Sequence, residues 1–312
     1  MKRRMSTGLG MGLALCMVLA GVVWANNTTL TLVSRAGITA YGPLDHYAAP
    51  QAADWGTSNS AVATWFHPSW PSIPGATWVS TAYYVEAPYW ANSWRWFHDE
   101  FELCAGAYNI QAGLGVAATA DNAEEFYFNG VVVGSDGEME GPFVDDHEWN
   151  TIINYPITPV PGMNTLDFIV RNYSGNDSPT DNPTGLLYRV ELTYDCPIQV
   201  TIDIKPGSDP NCFNNDGHGV IPVAILGSET LDATQIDPST VHLEGLVVRM
   251  VGKSDKLLAH LEDVNGDGFV DLVVQIEDTD GIWTAGTSLA NVTGNLYDAT
   301  PIVGQDYVCI TQ

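Results

Sequence analysis

Asp263-Val264-Asn265-Gly266-Asp267-Gly268-Phe269-Val270-Asp271 places oxygen-bearing side chains at positions 1, 3, 5 and 9 of a short loop with two glycines. Hard cations take oxygen ligands, and Ca²⁺ accepts them in flexible geometry. Asp263, Asn265 and Asp267 offer side-chain oxygens, and Phe269 offers its carbonyl. Asp271 completes the shell, directly or through water. Gly266 and Gly268 let the backbone wind tightly round an ion. Glu262 and Asp278 or Asp280 are candidate supports. The bland alternative, a solvated acidic turn, crowds several carboxylates for no gain. An EF-hand would need flanking helices and a Glu at position 12. Position 12 is Val274, and the flanks Leu257 to Leu261 and Phe269 to Ile276 read as strands. The expected ion is structural: no HExxH or GxSxG is present, and His218 and His260 stand alone. No residue is assigned a catalytic role.

Aromatic side chains are the second chemical resource. Trp65, Trp70, Trp78, Trp90, Trp94 and Trp96 lie close in sequence, with Tyr83, Tyr84 and Tyr89 among them. Flat rings can stack on sugar faces while polar neighbours take the hydroxyls, and Trp70, Trp78, Trp90, Trp94 and Trp96 are the candidates. The reading that comes first is that most of them fill a sandwich core, which large aromatics do well, with the ligand platform second and a protein-protein interface third. In Trp94-Arg95-Trp96-Phe97, strand alternation sets Trp94 and Trp96 on one face and Arg95 and Phe97 on the other. A further acidic stretch holds Asp136, Glu138, Glu140, Asp145, Asp146, His147 and Glu148. It reads as a solvated loop before it reads as a second cation site. The polar run 176–185 likewise reads as a surface loop.

The elements that must carry these groups are strands. In residues 26–197, Gln111 to Thr119, Glu125 to Phe128, Val131 to Val133, Thr165 to Tyr173 and Leu186 to Tyr194 are expected strands. Asn129-Gly130 predicts a type I′ hairpin turn, since both residues accept positive φ. In residues 198–312, Val200 to Ile204, Gly219 to Leu226, Val241 to Val251 and Tyr307 to Ile310 join the two loop flanks. Pro222 predicts an edge strand or a bulge. The expected fold is all-β: an N-terminal jelly-roll or β-sandwich, then a C-terminal β-sandwich with a hairpin calcium loop.

Residues 1–25 read as a secretory signal peptide, with a basic Lys2-Arg3-Arg4 start and an uncharged apolar stretch. No second apolar run is long enough to span a bilayer, so no stable transmembrane span is expected in the mature chain. The 312-residue chain has 11 Lys and Arg against 37 Asp and Glu, for a net charge of -26. Such a chain repels a nucleic-acid backbone. Beyond the leader, Cys104, Cys196, Cys212 and Cys309 form an even set, as expected of disulfides in an exported protein. Three pairings are open. Cys104 with Cys196 and Cys212 with Cys309 is favoured, because each bond closes within one half.

Ala117 to Gly130 (AATADNAEEFYFNG) and Asn164 to Tyr173 (NTLDFIVRNY) resemble the galactose-binding-like jelly rolls carried as accessory modules on bacterial surface proteins and glycosidases. That resemblance implies a sandwich that binds sugars in some members, and it transfers no ligand residue. Ile202 to Asn211 (IDIKPGSDPN), Gly219 to Ser228 (GVIPVAILGS), Ile236 to Val241 (IDPSTV) and Glu262 to Gly268 (EDVNGDG) resemble a second family. It is a calcium-binding β-module of exported bacterial and archaeal proteins. The loop itself is similar to repeats in integrin-type propellers and thrombospondin-type loops.

These readings lead to a secreted or cell-surface calcium-binding protein, adhesive or carbohydrate-binding, without catalysis. Its expected partners are a glycan, a surface protein or further copies of itself. A structural subunit of an extracellular filament, sheath or surface layer is the second reading. A glycan-active enzyme is the third, but abundant carboxylates are not yet a catalytic pair.

Overall fold

A computed structural model describes residues 27–45, 54–85, 93–139, 148–173, 182–214, 216–279 and 282–311. Residues 1–26, expected to include a signal peptide, lie outside the described residues, as do Tyr89, Trp90, the acidic stretch 140–147, residues 176–181 of the polar run and Asp280. Contacts divide the chain into two compact units, with the boundary between Pro197 and Ile198.

The N-terminal unit runs β1 (Thr28–Val33), β2 (Thr39–Asp45), β3 (Asn59–Ser60), β4 (Val62–Ala63), β5 (Val79–Ser80), β6 (Ser93–Leu103), β7 (Tyr108–Gln111), β8 (Val116–Asp121), β9 (Ala123–Phe128), β10 (Val131–Asp136), β11 (Ile153–Tyr155), β12 (Gly162–Asn172) and β13 (Gly185–Asp195). One sheet has the order β11-β8-β13-β5-β4, with β1 and β7 also paired to β13. The other runs β10-β9-β12-β6-β2-β3. Alternation assigns the faces. Phe97, Phe101 and Leu103 of β6 meet Leu186, Tyr188 and Val190 of β13 in one core. Phe126, Phe168 and Tyr188 stack through it, with ring centroids 4.6 and 4.9 Å apart.

Asn129 and Gly130 turn the β9–β10 hairpin with φ of 50° and 75°, the positive values that the dipeptide predicts. Gln111 to Thr119, expected as one strand, is two. The turn at 112–115, with Gly113 and Gly115 at positive φ, separates β7 from β8. Cys104–Cys196 closes this unit covalently.

Polar groups are also locked into this interior. The Tyr155 hydroxyl donates to Glu124 Oε1 at 3.1 Å. Burial, then the Glu124 charge, pushes the Tyr155 hydroxyl far above the ordinary phenol range. Burial and Asp99 do the same to Tyr188, and burial, then the bond to Glu125, pushes Tyr127 up to about 12. These tyrosines keep their protons in the folded state at a pH where the unfolded chain, ionising near 10, has begun to lose them. The unfolded state then binds fewer protons, so stability is whole below about pH 10 and falls above it. Urea unfolding followed by tryptophan fluorescence should show this loss between roughly pH 10 and 11. Tyr155→Phe should flatten it, and an unchanged slope would remove Tyr155 as a cause.

The C-terminal unit runs β14 (Ile198–Gln199), β15 (Ile202–Ile204), β16 (Cys212–Asn214), β17 (Val220–Ile225), β18 (Ile236–Leu243), β19 (Leu246–Val247), β20 (Met250–Val251), β21 (Lys256–Leu257), β22 (Ala259–Glu262), β23 (Asp271–Glu277), β24 (Gly286–Leu296) and β25 (Pro301–Thr311). One sheet is β14-β25-β24-β18-β19 with β16 on β25, a second is β15-β17-β23-β22, and β20-β21 is a separate hairpin. Ile204, Val223, Val274, Leu243 and Val292 lie within a single buried cluster. Cys212–Cys309 joins β16 to β25.

Two expectations need correction here. Val241 to Val251 is not one strand, because Glu244 and Gly245, with φ of 48° and 85°, turn the chain between β18 and β19. β17 is not an edge strand, since it lies between β15 and β23. Pro222 is accommodated because the β15 pairing stops at Val223. Beyond it the Pro222 carbonyl accepts from Lys205 N–H at 2.7 Å, a bond that asks nothing of the proline nitrogen.

Candidate metal centre

The loop after β22 is organised by its own acidic side chains. Asp263 Oδ1 accepts from the N–H groups of Gly266 at 2.8 Å and Asp267 at 3.2 Å, and Oδ2 accepts from Gly268 N–H at 3.1 Å. Asn265 Oδ1 accepts from Asp267 N–H at 3.0 Å, and Asp267 Oδ1 accepts from Phe269 N–H at 2.9 Å. Asn265 Nδ2 donates to Asp267 Oδ2 at 2.9 Å. Short side chains that bond to the backbone a few residues ahead make a chain of Asx turns. Gly266 and Gly268 supply the positive φ values, 76° and 92°, that this winding needs. The result gathers the side-chain oxygens of Asp263, Asn265 and Asp267 on one exposed loop.

Asp271 does different work. It is buried at the head of β23, and both its oxygens hold backbone N–H groups: Gly227 at 2.8 Å and Val264 at 2.9 Å. It therefore fastens the loop to the end of β17. Gly227 is required there, since a Cβ would lie 2.3 Å from the Val270 carbonyl oxygen. An ionised carboxylate has about four acceptor sites, so these two bonds leave it capacity for a ligand role. Phe269 and Val270 are exposed and precede the strand, which begins only at Asp271. Glu262 is drawn to His260 at 3.2 Å, and Asp278 sits at the opposite end of β23 from the loop.

The donor set fits Ca²⁺: it is all oxygen, partly charged, and borne on a loop closed by glycines. Among the described residues, no group of three or more His, Cys, Asp or Glu side chains converges as a metal cluster. The fit thus relies on the Asn265 amide and on peptide carbonyls beside the carboxylates.

The aromatic candidates do not form one platform. Trp70 and Trp78 are buried against each other, with centroids 4.1 Å apart, beside Ile73 and Leu187. Trp70 Nε1 donates to Asp121 Oδ2, and Trp78 Nε1 donates to the Pro71 carbonyl, both at 2.9 Å. They make a satellite core on the outward face of the first sheet. Trp94 is fully buried, 5.5 Å from the Arg171 guanidinium. Trp96 is half-buried, stacked on Tyr41 at 4.3 Å and donating to Asp167 Oδ1 at 2.8 Å. Trp90 lies outside the described residues. Among the described residues of the N-terminal unit, the rings that do stand exposed are Phe66, Tyr83 and Tyr84. In the second acidic stretch, burial lifts the Asp136 carboxyl, and the Glu138 carbonyl accepts from Arg171 at 2.8 Å.

Fold and loop define the class: an all-β protein of two compact units, each holding one disulfide. No family model and no curated protein matches the chain. Among solved structures it is similar to an FMN-binding beta-glucuronidase from Facaelibacterium prausnitzii L2-6, at 13% identity and a TM-score of 0.27, covering 91% of this chain and 40% of that one. It is similar also to Bifidobacterium dentium beta-glucuronidase, at 13% identity and a TM-score of 0.30, covering 92% of this chain and 48% of the other. The chain thus spans less than half the length of either enzyme, and no ligand or activity is carried over from them. Among the described residues, no helix is long and apolar enough to cross a membrane.

Proposed function

We propose that the protein is a secreted or cell-surface adhesion protein without catalysis. Its C-terminal unit is stiffened by Ca²⁺, and its N-terminal sandwich takes a glycan. The observation that carries this reading is the 263–271 loop, whose oxygen donors are wound into place by their own backbone bonds. Asp263, Asn265, Asp267 and the Phe269 carbonyl are the ligands, and Asp271 closes the shell. Two disulfides suit an oxidising compartment outside the cell.

Calorimetric titration of the chelator-stripped protein with Ca²⁺ tests this. Saturable binding is expected, and a variant carrying Asp263→Ala and Asp267→Ala should lose it. A folded parent that binds no Ca²⁺ would sink the reading. One feature favours the second reading, a subunit of an extracellular filament or layer. Edge strand β10 exposes Val131 and Val132, an apolar edge of the kind that pairs with another chain.

A further inference from the structure

A groove of about 420 Å³ runs along the outward face of the first sheet of the N-terminal unit. Strand alternation builds it. Leu186, Tyr188 and Val190 of β13 enter the core, so Arg189, Glu191 and Thr193 face outward. Ala117 of β8 lies on the same face, with Asn154 of β11 directly opposite it. Gln111 and the turn at 112–115 form one wall, and Leu114 stands 77% exposed at its rim. At the other end, Arg189 Nη1 donates to the Pro74 carbonyl at 2.8 Å, which ties the groove to the loop that buries Trp70 and Trp78.

The chemistry of these side chains selects a ligand. Gln and Asn amides each donate and accept, as does a Thr hydroxyl, and this matches hydroxyl groups that do both. Arg189 is paired with Glu191, so the two charges on the floor offset each other. A net charge of -26 repels anions from the whole chain. The volume lies within the range of ligand clefts, roughly 300 to 1,000 Å³, and a few placed polar groups beside apolar contact are their usual make-up.

We propose that this groove is the glycan site, and that it binds a neutral oligosaccharide. Gln111, Asn154, Arg189, Glu191 and Thr193 take its hydroxyls, and Leu114 covers the apolar face of a ring. The proposal rests on the glycan part of the function above and gives it an address different from the tryptophans.

The test uses the whole exported protein in calcium, with soluble neutral cello-, xylo-, manno- and galacto-oligosaccharides as probes in calorimetry. The first variant carries Gln111→Ala and Asn154→Ala, both exposed positions whose loss leaves the core intact. The second carries Tyr83→Ala and Tyr84→Ala, an exposed ring pair that does not line the groove. Expected is binding of at least one probe by the parent, weakened about tenfold or more in the first variant and unchanged in the second. Parent binding that survives in the first variant would overturn the groove and leave the glycan reading standing. A folded parent that binds none of the probes would overturn both.

Discussion

Asp271→Ala will destabilise the C-terminal unit more than Asp263→Ala, and it will do so even in chelator. Asp271 is buried and accepts from Gly227 N–H and Val264 N–H, so its removal takes away the acceptor of both. Hydrogen bonds to a charged group contribute about 1.5 to 3 kcal/mol each, so the expected loss for the two is about 3 to 6 kcal/mol. Asp263 and Asp267 lie on an exposed turn, and their bonds compete with water. Their removal in chelator should move stability by less than about 1 kcal/mol. Calcium separates the two roles. If the proposed site binds, Ca²⁺ at a free concentration one hundred times the dissociation constant should add about 2.7 kcal/mol to the parent. The Asp263→Ala and Asp267→Ala variant should gain nothing. Thermal unfolding with and without Ca²⁺ reads all of this. An Asp271→Ala protein as stable as the parent in chelator would remove the anchoring role.

Asp99→Ala should be the most damaging single change in the N-terminal unit outside the apolar core. Asp99 projects from β6 and accepts from the Tyr188 hydroxyl of β13 at 2.6 Å, so one carboxylate joins the two sheets. Arg35 adds a two-pronged contact, at 2.6 and 3.1 Å, and the partnership raises the Arg35 pKa further above its already high value. Deleting the carboxylate leaves a buried phenol hydroxyl and a partly screened guanidinium. The half-exposed arginine is cheaply rehydrated, so the expected loss is about 2 to 4 kcal/mol rather than that of a fully buried pair. Asp99→Asn retains an acceptor and should lose only about half as much. Urea unfolding of the three proteins checks the order. Equal stability for Asp99→Ala and the parent would rule out the cross-sheet link.

How much of this was legible in the residues depends on the range of the interactions. Asn129-Gly130 announces its hairpin because positive φ is a local property of those two residues. The strand face of Phe97 follows from alternation, and its burial at the core agrees. Each cysteine pair is the one that closes within a unit, an inference from their segregation along the chain, since the bonds span 92 and 97 residues. The Asx winding of 263–269 is local too, and the spacing of Asp, Asn and Gly displays it. Asp271 was readable only as a ninth-position ligand. Its hold on Gly227 depends on β17 and β23 lying side by side, which no local pattern states. The glycine after the apolar run at 219–226 was the one available signal. The tryptophans are legible in part. Their size favours a core over a ligand platform, and Trp70, Trp78 and Trp94 are buried, but nothing local says that Trp70 and Trp78 fold over the outside of a sheet and bury each other. A half-dozen large rings looks the same in sequence whether it faces solvent or a satellite core. The groove had no signature at all, because Gln111, Asn154 and Arg189 come from three separate strands.

The arrangement of β14, β16 and β25 bears on how the C-terminal unit would carry tension. The first strand of the unit, β14, and then β16 both run parallel to β25 and beside it, with Ile198 next to Ile302 and Cys212 next to Cys309. A pull along the chain therefore slides them past each other and loads their hydrogen bonds together, instead of peeling them one by one. Should they slip, the Cys212–Cys309 crosslink lets only residues 198–211 lengthen on the entering side, a tether of roughly 50 Å at 3.3 to 3.6 Å per residue. The rest of the sandwich, with the 263–271 loop inside the crosslinked span, stays out of the line of force.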